Sequence, residues 1–68
     1  MSFAENLKAC RKASPYKQRE VAELIGISLR TYQGYEEGRS EPNIAKLIAL
    51  ARLFDISLDD LTGRSDLK

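Results

Sequence analysis

The stretch 18–35, which reads QREVAELIGISLRTYQGY, places the tightest constraint on what this chain can fold into. Apolar residues recur with helical spacing up to Ile25, and the same spacing resumes at Tyr32. Between them, Gly26 can adopt the left-handed conformation that ends a helix, and Ser28 is a favourable N-cap for the next helix. The pattern therefore predicts two short helices joined by a tight turn.

Small residues in this stretch predict how the two helices cross. Ala22 is small enough to let the second helix approach the first closely, and Gly26 follows it by four positions. Apolar residues at Val21, Ile25 and Ile27 bracket the pair. This spacing is typical of the sharp crossing in a helix-turn-helix.

The rest of the chain reads as three further helices and shows no strand pattern. Ser2 and Glu5 form a predicted capping box, and proline at position 15 stops the first helix. Leu58 and Leu61 are expected to point inward from the last helix, and Ile44 belongs to a wide apolar face on the fourth. The predicted helices span 2–13, 18–25, 28–37, 43–54 and 57–63. We therefore expect an all-α, five-helix domain over residues 1–63, with 64–68 as a flexible tail.

Composition sets limits on the chemistry. The 68 residues are enough for one small domain, and 43% apolar residues support a folded core. One cysteine, Cys10, and no histidine leave no internal disulfide, zinc set or imidazole base. We expect neither an enzyme nor a bound metal or cofactor, and no small-molecule ligand is evident.

The charge is nearly balanced, at +1 overall. Residues 1–40 carry seven basic side chains against five acidic ones, whereas residues 41–68 carry four against five. A basic surface would therefore have to arise from folding. The first ten residues contain no long apolar run, so neither a signal peptide nor a membrane span is predicted, and a cytoplasmic location is expected.

The helical period divides the side chains of the third helix between two sides. One side is predicted to hold Thr31, Tyr32, Tyr35 and Glu36. The other, which we name the reading face, holds Leu29, Arg30, Gln33, Gly34 and Glu37. Arginine can bind guanine, glutamine can bind adenine, and leucine can pack on a thymine methyl group in a major groove. From periodicity alone, ordinary solvent-facing residues are the commoner explanation.

Several short motifs occur in a fixed order along the chain. They are Arg11, Gln18-x-x-Val21-Ala22-x-x-Ile25-Gly26-Ile27-Ser28, Tyr35-Glu36-x-Gly38, Pro42-Asn43 and Ser57-Leu58-Asp59-Asp60-Leu61. In this order and spacing, from Leu7 to Leu61, the chain resembles the Cro and phage-repressor type of helix-turn-helix domain, also called the XRE family. The resemblance implies a lambda-repressor-like bundle whose third helix enters the DNA major groove.

The resemblance also implies roles for particular residues. Base contacts fall on Leu29, Arg30 and Gly34, with Gln33 nearby, and Arg11 pairs with Glu36 as a structural ion pair. Gln18 is the first residue of the second helix, where the helix dipole and its side-chain amide favour contact with a DNA phosphate. The expected phosphate contacts are Lys17, Gln18, Arg19, Ser28, Thr31, Arg39 and Ser40.

Gly34 is one of the departures from the family pattern, which usually has a long polar residue there. The others are Ser14-Pro15, where glycine is usual, and Lys17, where threonine or serine is usual. A glycine inside a helix costs about 1 kcal/mol relative to alanine. Gly34 either permits a closer approach to the groove or makes no base contact, and the sequence does not distinguish the two.

The resemblance implies a sequence-specific regulator of transcription, with a repressor as the leading expectation, that binds a roughly palindromic operator on double-stranded DNA as a dimer. The expected dimer surface uses the exposed members of Phe54, Ile56, Leu58, Leu61 and Leu67. The alternative is a protein-interaction module such as an antitoxin or a coactivator-like adaptor, which the near-neutral charge and Gly34 favour.

Overall fold

The computed structural model describes residues 2–63. These residues form five α-helices: α1 Phe3–Lys12, α2 Gln18–Ile25, α3 Leu29–Glu37, α4 Ile44–Phe54 and α5 Leu58–Thr62. No β-strand occurs in this part of the chain, which confirms the all-α prediction. The predicted tail at 64–68 lies outside the described residues.

Short polar side chains cap the N-termini of four of the helices, as predicted. Ser2, Ser28, Asn43 and Ser57 each accept a hydrogen bond from the backbone N–H three residues further on, at 2.9 to 3.2 Å. Each bond satisfies a donor that has no partner within its own helix. At the other end of α2, Gly26 has φ +79°, the left-handed conformation that the turn requires.

The core lies where all five helices meet. α1 packs against α3 and α5, α2 packs against α3 and α4, and α4 packs against α5. The largest fully buried side chains are Leu7, Val21, Tyr32, Leu50 and Leu61. Tyr35 meets Tyr32 edge to face, with ring centroids 6.3 Å apart. This packing holds α2 and α3 at a defined crossing and leaves one side of α3 at the surface.

Two apolar expectations were wrong. Ile44 is 69% exposed, because the buried stripe of α4 runs through Leu47, Leu50 and Phe54 and leaves Ile44 at its edge. Leu58 is 42% exposed, because Leu61 is the α5 side chain that enters the core. Within residues 2–63, no helix is both long enough and apolar enough to span a membrane.

Candidate nucleic-acid interface

A buried carboxylate supports the inner side of α3. Glu36 accepts hydrogen bonds from Arg11 Nε at 2.6 Å, Tyr32 Oη at 2.5 Å and Gln18 Nε2 at 3.0 Å, and a longer one from Arg11 Nη2 at 3.3 Å. Its side chain is 2% exposed and that of Arg11 is 14% exposed. The ion pair expected from the family resemblance is therefore present, and it ties α1, α2 and α3 together.

The protonation of this cluster follows from its contacts. Burial opposes ionisation of Glu36, but the hydrogen bonds from Arg11, Tyr32 and Gln18 hold the pKa of its carboxyl below the ordinary value. Burial, followed by the hydrogen bond to Glu36, raises the pKa of Tyr32. Glu36 is thus an ionised acceptor at neutral pH, and Tyr32 is a neutral donor.

The cluster extends to the surface through two glutamines. Because the Glu36 carboxylate only accepts, Gln18 turns its amide nitrogen towards Glu36. The Gln18 amide oxygen then accepts from Gln33 Nε2 at 3.3 Å. Gln33 keeps its amide oxygen and one N–H, which are the two groups needed to bind adenine. Gln18 likewise keeps one amide N–H, which suits its predicted contact with phosphate.

The first turn of α3 carries the other predicted readers. Arg30 is exposed and Leu29 is half-buried. Thr31 is exposed, although the period of the helix had placed it on the buried side with Tyr32. The Ser28 hydroxyl donates to Thr31 Oγ1 at 2.9 Å while it accepts the cap bond, so Thr31 keeps its own hydroxyl proton to donate to another group.

Gly34 is buried, contrary to its predicted place as an open position on the reading face. Gly38, with φ +82°, turns the chain after α3, and Arg39 N then donates to the Gly34 carbonyl oxygen at 2.9 Å. A Cβ atom at Gly34 would lie 3.0 Å from Ser40 Oγ. The following loop folds back over Gly34, and a side chain at this position would require Ser40 to shift. What the structure corrects is the exposure of Gly34, and a base contact by this residue stays a prediction.

The remaining phosphate candidates lie in two places. Lys17 and Arg19 are exposed around the start of α2, and Arg39 and Ser40 are exposed in the loop after α3. Lys17 is the N-cap position of α2, where its backbone N–H donates to Glu20 Oε1 at 2.8 Å. Their contacts with phosphate remain predictions.

The predicted dimer surface is only partly available. Leu61 is fully buried in the core of the monomer and is removed from that surface. Phe54 and Ile56 are half-buried and line an apolar groove of about 400 Å³ with Tyr16. Leu58 is exposed, and Leu67 lies outside the described residues.

Two supporting contacts were missed from the sequence. Lys46 Nζ on α4 donates to the Ile25 carbonyl oxygen at 2.9 Å, directly before the turn at Gly26. The Asn6 side chain on α1 donates to backbone carbonyls of Asp60 and Leu61. No local pattern could have indicated them, because each joins residues at least 21 positions apart.

In the region 2–63, no three metal-binding side chains come together. Burial, with a smaller effect from Asp60, raises the pKa of the Cys10 thiol, which keeps it in its unreactive protonated form.

Comparison with known proteins gives the family. A helix-turn-helix family model matches residues 7–61. Over 64 residues the chain is 39% identical to YobD, an uncharacterised HTH-type transcriptional regulator of Bacillus subtilis. The aligned region covers 94% of this chain and 57% of that protein. The chain is 41% identical over 64 residues to RstR, a cryptic phage CTXphi transcriptional repressor of Vibrio cholerae, with the same coverage of 94% and 57%.

A solved structure has the same fold. The P22 c2 repressor protein, crystallised with a synthetic operator, is 26% identical, with a TM-score of 0.86 over 96% of this chain and 98% of that one. The chain therefore belongs to the helix-turn-helix family of the Cro and phage-repressor type. It spans 51% to 57% of the length of the first curated relatives it matches.

Proposed function

We propose that this chain is a sequence-specific DNA-binding domain of a transcriptional regulator, with α3 in the major groove of double-stranded DNA. The observation that carries the proposal is the arrangement of α3. Its inner side is held by the Glu36 cluster, while its outer side presents Arg30 and an oriented Gln33. Arg30 supplies a fork for guanine, and Gln33 supplies the donor and acceptor pair for adenine.

Contacts with the DNA backbone would give the remaining affinity. Gln18 and Thr31 each retain a donor at the edge of α3, and Lys17 and Arg19 add positive charge beside them. Such contacts position a protein on the duplex without reading its sequence. Similarity to RstR and to the P22 c2 repressor supports a repressor. Action in the cytoplasm is part of the same proposal.

A dimer on a roughly palindromic operator completes the proposal. Two copies would place α3 in successive major grooves. Leu58 is the exposed apolar residue at the proposed contact, and Phe54 and Ile56 form one wall of the adjacent groove. Size measurement in solution, with and without an operator duplex, tests this step. A chain that is monomeric without DNA and binds the operator duplex as a single copy would contradict it.

Selection of bound sequences from random duplexes tests the function itself. We expect an enriched motif that loses one guanine preference in Arg30→Ala. Arg52→Ala is the matched control, because Arg52 is an exposed arginine on α4, outside the proposed interface. Absence of any enriched motif for the wild-type chain would overturn sequence-specific binding.

A protein-interaction module is the second candidate, and exposed apolar side chains favour it. Leu24 on α2 is 60% exposed and Ile44 on α4 is 69% exposed. Salt dependence separates the two functions. DNA affinity falls steeply as salt rises, because bound phosphates release counterions, whereas an apolar protein interface is much less sensitive.

A further inference from the structure

The outer face of α3 has a gap at Gly34, and the side chain of Arg39 fills it. Gly34 follows the exposed Arg30 by four positions, so the two lie one above the other on the same face. A Cβ atom built on Gly34 would lie 3.6 Å from Arg39 Nη1 and 3.8 Å from Arg39 Cζ. The guanidinium therefore occupies the space into which a side chain of residue 34 would extend.

The backbone after α3 brings Arg39 to this place. Gly38 adopts φ +82°, which reverses the chain at the end of the helix. The backbone N–H groups of Arg39 and Ser40 then both donate to the Gly34 carbonyl oxygen, at 2.9 and 3.4 Å. Ser40 closes the remaining space, with Oγ 3.0 Å from the position of a Gly34 Cβ. A residue outside the helix is thereby added to the surface of the helix.

Glu37 holds the guanidinium by one edge. Arg39 Nε donates to Glu37 Oε1 at 2.8 Å, and both side chains remain about half exposed, at 52% and 57%. A guanidinium has five N–H groups, so this bond leaves the terminal Nη1 and Nη2 atoms for a ligand. Two parallel N–H donors at that end match the O6 and N7 acceptors of guanine in the major groove.

We propose that Arg39 takes the place of the missing residue 34 side chain on α3 and reads a guanine, instead of contacting only the phosphate backbone. This inference rests on the proposed function, because it requires α3 to lie in the major groove. Glu37 acts as a positioning residue. Its carboxylate restricts rotation of the guanidinium while the two Nη atoms face the DNA.

Substitution by lysine tests the proposal directly. Arg39→Lys keeps the positive charge that would attract phosphate but lacks the two-pronged donor. Bound sequences are selected from random duplexes with the wild-type chain, Arg39→Lys and Arg39→Ala, and affinities are then measured on duplexes that differ at one base pair. We expect a wild-type guanine preference of roughly 5-fold to 150-fold at one position of each half-site, and a loss of most of it in both variants.

Glu37→Ala provides a second test, in which affinity for random-sequence DNA and the guanine preference should change in opposite directions. Removing the acid should raise affinity for random-sequence DNA, because a negative charge near the phosphates is lost. It should also lower the guanine preference, because Arg39 is no longer held. A purely electrostatic role for Glu37 would change the first quantity and leave the second as it is.

The controls separate this inference from the proposed function. Arg19→Ala should weaken binding to all sequences about equally, as expected of a phosphate contact, and thermal unfolding of each variant verifies that it is folded. An enriched wild-type motif whose base preferences are unchanged in Arg39→Lys and Arg39→Ala would overturn the inference and leave the function standing. If the wild type enriches no motif, both are overturned.

Discussion

Two consecutive glutamates at the end of α3 each pair with an arginine, and only one of the pairs is buried. Glu36 meets Arg11 at 2.6 Å, with side chains that are 2% and 14% exposed. Glu37 meets Arg39 at 2.8 Å, with side chains that are 57% and 52% exposed. The contact distances are similar, so the difference lies in the surroundings of each pair.

Those surroundings give the two pairs different uses. Removed from water, the Glu36 carboxylate needs several donors, and three residues supply them. An exposed pair contributes only about 0 to 1 kcal/mol to stability. Its bond is made by Arg39 Nε, so Nη1 and Nη2 are left for a ligand. The inner pair therefore holds α3 in place, and the outer pair is available for binding.

The largest expected effect follows from removing the buried carboxylate. Glu36→Ala should lower the free energy of unfolding by roughly 3 to 5 kcal/mol, because Arg11 is left buried without its partner. Denaturant unfolding measures this, with Glu37→Ala as the matched control on the same helix. A Glu36→Ala variant within about 0.5 kcal/mol of wild type would remove the distinction between the pairs.

Lowering the pH should reproduce part of the stability loss expected in Glu36→Ala. Burial raises the pKa of Glu36, but hydrogen bonding lowers it by more, so the pKa in the folded chain is below the ordinary value of 4.5. The unfolded chain therefore binds the proton more tightly than the folded chain. The stabilisation is present above about pH 4.5 and is lost as the pH falls through the folded-state pKa. The loss is smaller than in Glu36→Ala, because protonation removes the charge but keeps the side chain.

Unfolding measured from pH 7 down to pH 2 verifies this dependence. Glu36→Gln should flatten the acid limb of the stability curve, and Glu37→Gln is the control that removes the same charge at the exposed site. Equal acid limbs in wild type and Glu36→Gln would show that the buried carboxylate does not contribute to it.

The phenol of Tyr32 should have an intermediate effect. Tyr32→Phe removes the donor at 2.5 Å from Glu36 Oε2 without changing the packing of the ring. A hydrogen bond to a charged group contributes about 1.5 to 3 kcal/mol, so thermal unfolding should detect the loss. Tyr35→Phe leaves all donors to Glu36 in place and serves as the control. Equal stability of the two variants would argue against a special role for Tyr32.

The smallest effect belongs to the exposed pair. A double-mutant cycle with Glu37→Ala and Arg39→Ala should give a coupling of about 0.2 to 1 kcal/mol in stability, decreasing as salt is added. A coupling above about 2 kcal/mol would mean that the outer pair is structural as well.

The helix boundaries followed well from the sequence. The predicted limits of α2 and the caps at Ser28 and Asn43 agree with the structure. Each of these features depends on residues within about four positions of one another, so a local pattern is sufficient. The pairing of Arg11 with Glu36 was expected only from the family resemblance, because 25 positions separate the two residues.

The candidate site was predictable in part. Arg30 is exposed as the helical period indicated, and Tyr32, Tyr35 and Glu36 are buried. The period placed Gly34 on the same side as Arg30 but could not show that it is buried, because it contains no information about the loop that folds over the helix. The period also could not show that Gln18 and Gln33 share a hydrogen bond.

The sequence by itself determined where the helices begin and end and which side of α3 carries its aromatic residues, since capping and helical periodicity act over a single turn. Only the tertiary structure decided which stripe of α4 is buried, how Lys46 reaches the Ile25 carbonyl, and that Arg39 lies beside Gly34. Those outcomes depend on how helices and loops pack, and packing joins residues that no local pattern connects. The two adjacent glutamates show this directly, because their side chains leave the helix about 100° apart and the neighbouring elements give each its environment.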